Sequence, residues 1–234
     1  MEITTDRKYI ITGAGGGIAG SIIEVFAEAG ARLALVDISS DAITLRAGAC
    51  GGVAITADLT DQSATSAMVA EAQDRLGGVD GLIHTTGGFA TAAAVDNDSG
   101  LYQRLFDLNV RTLVVTTAAV LPVLLERGQG FLAGFSAAPG WYRSSGAGMS
   151  IYAAAKAAVA TFLHAIQDEV GPQGVTSAVV YPMGVVDTDA NRKAMPDADR
   201  STWIDPTEIA RAILFAAVSG PRGRLTELPI FPAA

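Results

Sequence analysis

The 234-residue sequence predicts an α/β fold: a single doubly wound parallel sheet of about seven strands, with helices on both faces. Short runs rich in β-branched residues alternate along the chain with longer segments of helical spacing. Runs such as "LALV" and "SAVV" lack a polar face, as is typical of parallel strands covered on both sides. Half of the residues are hydrophobic and 17% are charged, which suits a large core.

The alternation places each element in turn. The predicted strands are residues 8–12, 32–37, 52–58, 79–85, 130–136, 175–182 and 224–231. The predicted helices are residues 18–29, 41–49, 61–76, 101–126, 150–170 and 206–217. Asp61 and the pair Asp205-Pro206 resemble helix N-caps, and Gly30, Gly77 and Gly171 follow helix ends. Residues 187–204 are polar and break the alternation, which predicts a lid within a single domain of residues 1–234.

Composition excludes several classes of partner. A net charge of −8 and a pI of about 4.7 disfavour nucleic acid and anionic membrane surfaces. The apolar stretch 113–125 is too short to span a bilayer and contains Pro122. Cys50 is the only cysteine, which fits a reducing cytoplasm. His84 and His164 lie far apart in the sequence, and neither has other ligand types clustered beside it, so no metal site is predicted.

A glycine-rich turn, "TGAGGGIAG" (12–20), joins the first predicted strand to the first predicted helix. Glycines there let the backbone approach a pyrophosphate, and the helix N-terminus offers free N–H groups to it. The run fits Gly-x-Gly-x-x-Gly from Gly15 and, in a register that suits the strand end better, Thr-Gly-x-x-x-Gly-Ile-Ala from Thr12. A turn without a ligand is the alternative. The predicted cofactor-binding residues here are Gly13, Gly15, Gly17 and Ile18.

Asp37 ends the second predicted strand. A carboxylate at this place accepts hydrogen bonds from the adenosine ribose hydroxyls and repels a 2′-phosphate. No Arg or Lys lies in "DISSDA" (37–42) or in the glycine turn, where a binder of NADP supplies a cation. The sequence therefore predicts that NAD(H) is favoured over NADP(H). Asp58, at the end of the third strand, either faces the adenine or caps the following helix.

Tyr152 and Lys156 are four residues apart, so on a helix they share one face. A cation one turn from a phenol favours the phenolate, which brings the pKa of the Tyr toward working pH and makes it a usable acid or base. The surrounding "SIYAAAKAAVATFLHAI" is almost uncharged, which indicates a mostly buried helix on which Lys156 needs a partner. The pattern predicts proton transfer to a carbonyl oxygen.

Together these motifs resemble the short-chain dehydrogenase/reductase family along essentially the whole chain. The glycine turn, the acid after strand two, "ADLTD" (57–61), Asn109, Tyr152-x-x-x-Lys156 and "YPMGVVDT" (181–188) occur in the order of that family. The resemblance implies a Rossmann-type domain that binds NAD(P)(H) and oxidises or reduces hydroxyl and carbonyl groups. The implied partner is a small-molecule carbonyl or alcohol. A homo-tetramer or homo-dimer, built through the helices that hold Asn109 and Tyr152, is also implied.

Roles follow by position in the family pattern. Tyr152 is the implied acid/base, and Lys156 binds the nicotinamide ribose and lowers the pKa of the Tyr. Asn109 holds a water in the proton relay, and Thr188 contacts the nicotinamide carboxamide. Other implied cofactor-binding residues are Leu59 beside Asp58, Thr86, Gly87 and Pro182.

The sequence departs from the family where the catalytic serine belongs. The usual spacing from the Tyr falls on Pro139, whereas aligning strand ends puts Ala137 at the catalytic position and Ser136 beside it. Three hypotheses stay open: Ser136 is shifted into place, Ser144 or Ser145 folds over the nicotinamide, or no Ser acts. The family's Asn-Asn-Ala-Gly after strand four is also changed, to "HTTG" (84–87).

Two alternative functions remain. The dihydropteridine reductase branch lacks this Ser, and the chain resembles it locally in "ANRKAMPDAD" (190–199), at Trp203 and in Gly87-Gly88-Phe89. This resemblance implies reduction of a quinonoid substrate without a catalytic Ser. The alternative of another class is a non-catalytic NAD-binding sensor or assembly protein. Four side chains either line a pocket or pack into loops and core: Trp141, Tyr142, Met195 and Trp203.

Overall fold

Seven strands form one sheet in the computed structural model, which describes residues 6–141 and 146–233. The strands are β1 Lys8–Thr12, β2 Arg32–Asp37, β3 Val53–Thr56, β4 Gly81–His84, β5 Gly130–Phe135, β6 Val175–Pro182 and β7 Glu227–Ile230. They lie in the order β3-β2-β1-β4-β5-β6-β7, and every neighbouring pair is parallel. The predicted α/β class, with one doubly wound parallel sheet, is confirmed.

Helices cover both faces of the sheet. They are α1 Gly17–Glu28, α2 Ser40–Cys50, α3 Gln62–Leu76, α4 Ser99–Phe106, α5 Thr112–Glu126, α6 Ser150–Val170, α7 Asp189–Ala194 and α8 Pro206–Val218. Alternate residues of β1 divide the core, since Tyr9 and Ile11 pack with α1, α2 and α8, whereas Ile10 packs with α3 and α5. The five inner strands β2, β1, β4, β5 and β6 are buried almost throughout, as is typical of parallel strands covered on both faces.

The carboxyl ends of the strands meet at one edge of the sheet. The order reverses between β1 and β4, where β1 continues into the glycine turn and β4 into residues 85–89. A crevice at such a reversal is the general ligand site of doubly wound sheets. The ends of β5 and β6 and the start of α6 border the same crevice.

Residues 99–126 correct one prediction. Instead of one helix over 101–126, the chain forms α4, a π-helical turn at Asp107–Arg111, and α5. This continuous stretch, Ser99–Glu126, contains an 18-residue window with a mean hydropathy of 1.8 and is long and apolar enough to cross a membrane by length and composition alone. Core helices of soluble proteins share those properties, and Leu113, Val120 and Leu124 are buried against the sheet.

Residues 187–203 form a segment whose two ends are held together. Val186 and Ile204 form an isolated parallel bridge, and the Asp187 N–H donates to the Ile204 carbonyl oxygen at 2.8 Å. Within the segment, α7 begins after Thr188, whose hydroxyl accepts the Asn191 N–H. Arg192 donates two hydrogen bonds to the Asp187 carboxylate, at 2.6 and 2.9 Å. The segment is thus closed at its base, beside the crevice.

Candidate active site

The glycine turn packs directly against the backbone that follows β4. Gly13 has φ +63°, and a Cβ built on it would lie 2.7 Å from the Thr86 backbone nitrogen. A side chain at Gly13 would therefore separate β1 from β4. Among the described residues no side chain caps α1, whose N-cap is Gly16, so its first N–H groups stay available to an anion. Gly17 and Ile18 line the cavity described below.

Asp37 is tied to the glycine turn. Its carboxylate accepts the Gly15 N–H at 2.9 Å and the Ser39 N–H at 3.1 Å. Arg46 of α2 donates to the carbonyl oxygens of Ala14 and Gly16, the latter at 2.7 Å. The glycine turn therefore has a cation beside it, although residues 37–42 and the turn itself contain no Arg or Lys. Helical spacing brings it there, because Arg46 lies one turn after Ala42, whose Cβ also faces Gly15.

Asp58 and Leu59 lie away from the cavity. The Asp58 carboxylate accepts two hydrogen bonds from Thr60, which lower the pKa of that exposed carboxyl. The N-cap of α3 is Asp61, which accepts the Ala64 N–H, so Asp58 does not cap the helix. The Leu59 side chain is buried in the core on the α3 face.

His84 forms an oriented hydrogen-bond chain beneath the site. Its Nε2 lies 3.1 Å from Thr112 Oγ1, which itself donates to the Leu108 carbonyl oxygen at 2.8 Å. Thr112 must therefore accept from His84, so Nε2 carries the proton and Nδ1 accepts from Thr12 Oγ1 at 2.9 Å. Burial, and then the charge of Lys156, lower the pKa of His84 to about 3. A neutral imidazole thus joins β1, β4 and α5.

The two threonines after His84 differ in their contacts. Thr85 donates to the Thr12 carbonyl oxygen at 2.7 Å, which ties the end of β4 to β1. The Thr86 hydroxyl is buried without a hydrogen-bond partner among the described residues. Thr85 lines the cavity, whereas Thr86 contacts the glycine turn through its backbone.

Asn109 occupies the π-helical turn. Its Oδ1 accepts the Gly88 N–H at 3.2 Å, and its Nδ2 donates to the carbonyl oxygens of Gly88 and Leu105 at 2.9 and 2.8 Å. The side chain therefore fastens the turn to the loop after β4. A Cβ on Gly87 would lie 2.8 Å from Asn109 Oδ1 and 3.4 Å from Lys156 Nζ, so the two polar groups flank Gly87.

Gly87→Ala is expected to push the Asn109 side chain aside, because the added Cβ would lie 2.8 Å from Asn109 Oδ1. The movement costs stability, since the Asn109 amide makes three hydrogen bonds that would be weakened. We expect a loss of about 1–3 kcal/mol in the free energy of unfolding, measured by urea denaturation. Catalytic efficiency should fall at least about tenfold as Asn109 and Lys156 move. Gly48→Ala is the matched control, since nothing lies within 4 Å of its added Cβ in α2. Gly48→Ala should be at least as stable as wild type, because Ala is favoured over Gly inside a helix. A Gly87→Ala protein as stable as wild type would contradict this interpretation.

Tyr152 and Lys156 lie together on the cavity side of α6. Lys156 is buried and donates to the Phe135 carbonyl oxygen at 2.8 Å, while its Nζ stands 5.7 Å from the centre of the Tyr152 ring. Burial lowers the pKa of Lys156 to about 8 and raises the pKa of Tyr152 to about 12. The predicted lowering of the Tyr pKa by the Lys is not seen, because desolvation of the phenol prevails over the ammonium above its ring.

Ser136 directs its hydroxyl into the backbone of α6. It is 2% exposed, and its Oγ donates to the Lys156 carbonyl oxygen at 2.8 Å. The next residue, Ala137, also lines the cavity and presents only a methyl group there. Ser144, Ser145 and Tyr142 lie outside the described residues.

These elements enclose a cavity of about 630 Å³. Predicted residues that line it are Gly17, Ile18, Gly87, Ser136, Tyr152, Lys156, Pro182, Thr188 and Met195. Further lining residues, which the sequence did not single out as cofactor-binding or catalytic, are Phe89, Pro139, Met149, Val185 and Asn191. Trp141 instead stacks edge-on against Tyr181 at 4.4 Å, and Trp203 lies 5.9 Å from the Arg200 guanidinium, so each packs away from the lining.

Thr188 brings the 187–203 segment onto the glycine turn. A Cβ on Gly17 would lie 2.9 Å from the Thr188 Cβ, so the two backbones approach as closely as glycine allows. Across residues 6–141 and 146–233 no group of three or more His, Cys, Asp and Glu could hold a metal ion. Of the described residues that line the cavity, Tyr152 and Lys156 have side chains that can gain or lose a proton.

Comparison with known proteins shows which family this chain resembles. The family model described as short chain dehydrogenase matches residues 7–199. An uncharacterized oxidoreductase of Staphylococcus aureus (strain N315) is 28% identical over 235 residues, which cover 99% of this chain and all of the relative. A structure described as a short-chain dehydrogenase/reductase from Burkholderia xenovorans is 26% identical, with TM-score 0.84, and covers 97% of this chain and 96% of its own. A short-chain type dehydrogenase/reductase from Mycobacterium marinum (24% identity, TM-score 0.85, coverage 98% and 95%) shows likeness of fold.

Proposed function

Because the chain belongs to the short-chain dehydrogenase family, whose members are oxidoreductases acting on small molecules, we propose that it moves hydride between NAD(H) and a carbonyl or hydroxyl carbon. Tyr152 is the proposed acid/base, and Lys156 binds the nicotinamide ribose. The observation that carries the proposal is the position of Tyr152 and Lys156 on one buried helix face, at the wall of a cavity that reaches the glycine turn.

The residues present fit a dinucleotide. Gly17, Ile18 and Gly87 line the cavity, and among the described residues no side chain caps the N-terminus of α1. Such a helix end suits a pyrophosphate. Bound NAD(H) would supply or accept the hydride, which no protein side chain can do. Pro182 and Thr188, which also line the cavity, are proposed to hold the nicotinamide.

The protein's own part is the proton. At pH 7 the phenol of Tyr152, with its pKa raised to about 12, carries its proton and can donate it to a carbonyl oxygen. Lys156, with a pKa of about 8, is mostly charged at pH 7, and its positive charge stabilises the phenolate that is left when Tyr152 has given up its proton. Asn109 fixes the loop beside Lys156, and we propose that it positions the relay by which the proton is replaced.

The proposal is tested by NADH oxidation, followed at 340 nm, with a panel of neutral aldehydes, ketones and a quinonoid dihydropterin. Turnover of any carbonyl supports it. Tight NADH binding without turnover of any compound would instead favour the non-catalytic NAD-binding alternative. Turnover of the quinonoid compound alone would favour the dihydropteridine-type alternative, which the cavity also supports because Ala137 lines it while Ser136 bonds to α6. We propose that Ser136 anchors the helix and that no hydroxyl at residue 136 reacts.

Cofactor preference is proposed to depend on Asp37. Asp37→Asn keeps an acceptor for the Gly15 N–H but removes the charge that repels a 2′-phosphate, while Arg46 stays beside the turn. We expect the ratio of NADPH to NADH affinity to rise about tenfold or more, equivalent to about 1.4 kcal/mol. Dissociation constants come from quenching of protein fluorescence. Asp41→Asn, an equal charge change on the exposed first turn of α2, should leave the ratio unaltered. A wild type that binds NADPH more tightly than NADH would contradict the proposed role.

Members of the family commonly form oligomers, and we propose a homo-tetramer or homo-dimer in the cytoplasm. Exposed apolar side chains support this. Tyr102 of α4, Val114 of α5 and Phe215 of α8 are 52%, 37% and 59% exposed. Contact with a second copy would cover them.

A further inference from the structure

Phe89 is an exposed aromatic ring at the mouth of the cavity. It follows Gly87-Gly88 after β4 and is 63% exposed, although contact with water is unfavourable for a phenyl ring. Its ring meets that of Tyr152 edge to face, with centroids 4.9 Å apart and planes at 87°. Most of its surface is therefore left for another apolar group, directly beside the proposed proton donor.

Among residues 6–141 and 146–233, the lining of the cavity has no acidic side chain and one basic side chain, Lys156. The same cavity has apolar side chains in its lining, among them Pro139, Met149, Val185 and Met195. Of the described lining residues only Tyr152 and Lys156 can ionise, and Lys156 Nζ donates to the Phe135 carbonyl oxygen and is proposed to use its remaining donors on the nicotinamide ribose. An anionic group in this part of the cavity would lose its water without gaining a partner, which is costly.

The position of Tyr152 fixes which part of a substrate meets Phe89. A carbonyl oxygen that takes the Tyr152 proton brings its carbon close to the phenol, so a group attached to that carbon falls on the neighbouring ring. Thioethers of Met149 and Met195 adapt to flat rings and pack well at their edges. Aromatic pairs gain free energy beyond the area they bury.

We infer that the substrate is a neutral carbonyl compound bearing a flat apolar ring on the reacting carbon, and that Phe89 binds this ring. The inference rests on the proposed function and names its substrate class. In the reduction the carbonyl carbon gains hydride from NADH and the oxygen gains the Tyr152 proton, which gives the alcohol and NAD⁺, with one proton taken up from solvent to restore Tyr152.

Steady-state kinetics of three aldehydes test the inference: benzaldehyde, propanal and the anionic 4-carboxybenzaldehyde. Wild type should prefer benzaldehyde to each of the others by at least about tenfold in kcat/KM. Phe89→Ala should raise KM for benzaldehyde at least about tenfold and leave kcat/KM for propanal within about threefold. Phe89→Leu, which keeps apolar volume without a ring, should lie between. Val95→Ala, at a 91% exposed residue on the same connection but outside the lining, is the matched control.

The outcomes separate the inference from the function beneath it. If wild type reduces propanal with the same kcat/KM as benzaldehyde, or prefers 4-carboxybenzaldehyde, the proposed function stands. The inferred preference for a neutral substrate with a flat apolar ring is then overturned. Equal losses for benzaldehyde and propanal in Phe89→Ala overturn ring binding, because Phe89 then acts only by supporting Tyr152. Binding of benzyl alcohol to the enzyme with NADH, measured by saturation-transfer NMR, gives a readout without turnover. Loss of that binding in Phe89→Ala is expected, and unchanged binding would overturn the inference even if no aldehyde reacts.

Discussion

Tyr152→Phe is expected to lower kcat/KM for NADH-dependent carbonyl reduction by about 10²–10⁴-fold, the usual contribution of a positioned acid. The substitution removes one oxygen and keeps the ring that packs against Phe89 and below the Lys156 ammonium. Shape and charge of the cavity are thereby preserved. Affinity for NADH, measured by fluorescence titration, should stay within about threefold, which places the loss in proton transfer instead of cofactor binding.

Tyr102→Phe supplies the matched control for that experiment. Tyr102 lies on α4, is 52% exposed and packs against Phe106, so its hydroxyl has no contact with the cavity. This variant should retain wild-type kinetics. Unchanged turnover in Tyr152→Phe would remove the phenol from the mechanism.

Local sequence patterns determined much of the fold. The limits of β1, β2, β6 and α6 agree with those predicted, because each run of apolar residues is bounded by turn or capping residues. The break at Asp107–Arg111 could not be read from hydrophobic spacing. A π-helical turn inserts a residue without interrupting the apolar pattern, and its cause is tertiary: it turns the Asn109 amide onto the Gly88 backbone.

The site was predicted best where a single element carries it. Burial of Lys156 followed from the uncharged helix around it. The direction of the Tyr152 pKa did not, because helical spacing fixes which face a cation shares but not whether it sits by the hydroxyl or over the ring. The contact of Arg46 with the glycine turn was not predicted, because Arg46 lies nine positions after Asp37 and is brought to the turn by α2. Its spacing from Ala42 is the signal that marks both residues as facing the turn.

Protonation of His84 is expected to be a principal cause of acid unfolding. The folded state holds its pKa near 3, because the imidazole is buried and lies near Lys156, whereas an unfolded His titrates at 6.5. Since the folded pKa is depressed, the stabilisation is complete above about pH 6.5 and is lost as pH falls toward 3. The free energy of unfolding should decrease by up to about 1.4 kcal/mol for each pH unit in that window through this one group.

His84→Asn separates that ionisation from all others. An amide can still donate to Thr112 and accept from Thr12, although its shorter reach weakens both bonds and lowers stability at pH 7. Urea denaturation at half-unit steps from pH 7 to 4 gives the stability of each variant. The carboxylates that also titrate here are common to both proteins, so their effect cancels in the difference. The difference in unfolding free energy between wild type and His84→Asn should shrink by about 1.4 kcal/mol per pH unit below 6.5, because only unfolded wild type gains a proton at residue 84. Parallel curves for His84→Asn and wild type would mean that the chain through Thr12 and Thr112 reorganises to accept the second proton, and that the neutral tautomer assigned by the Thr112–Leu108 hydrogen bond is not required by the fold.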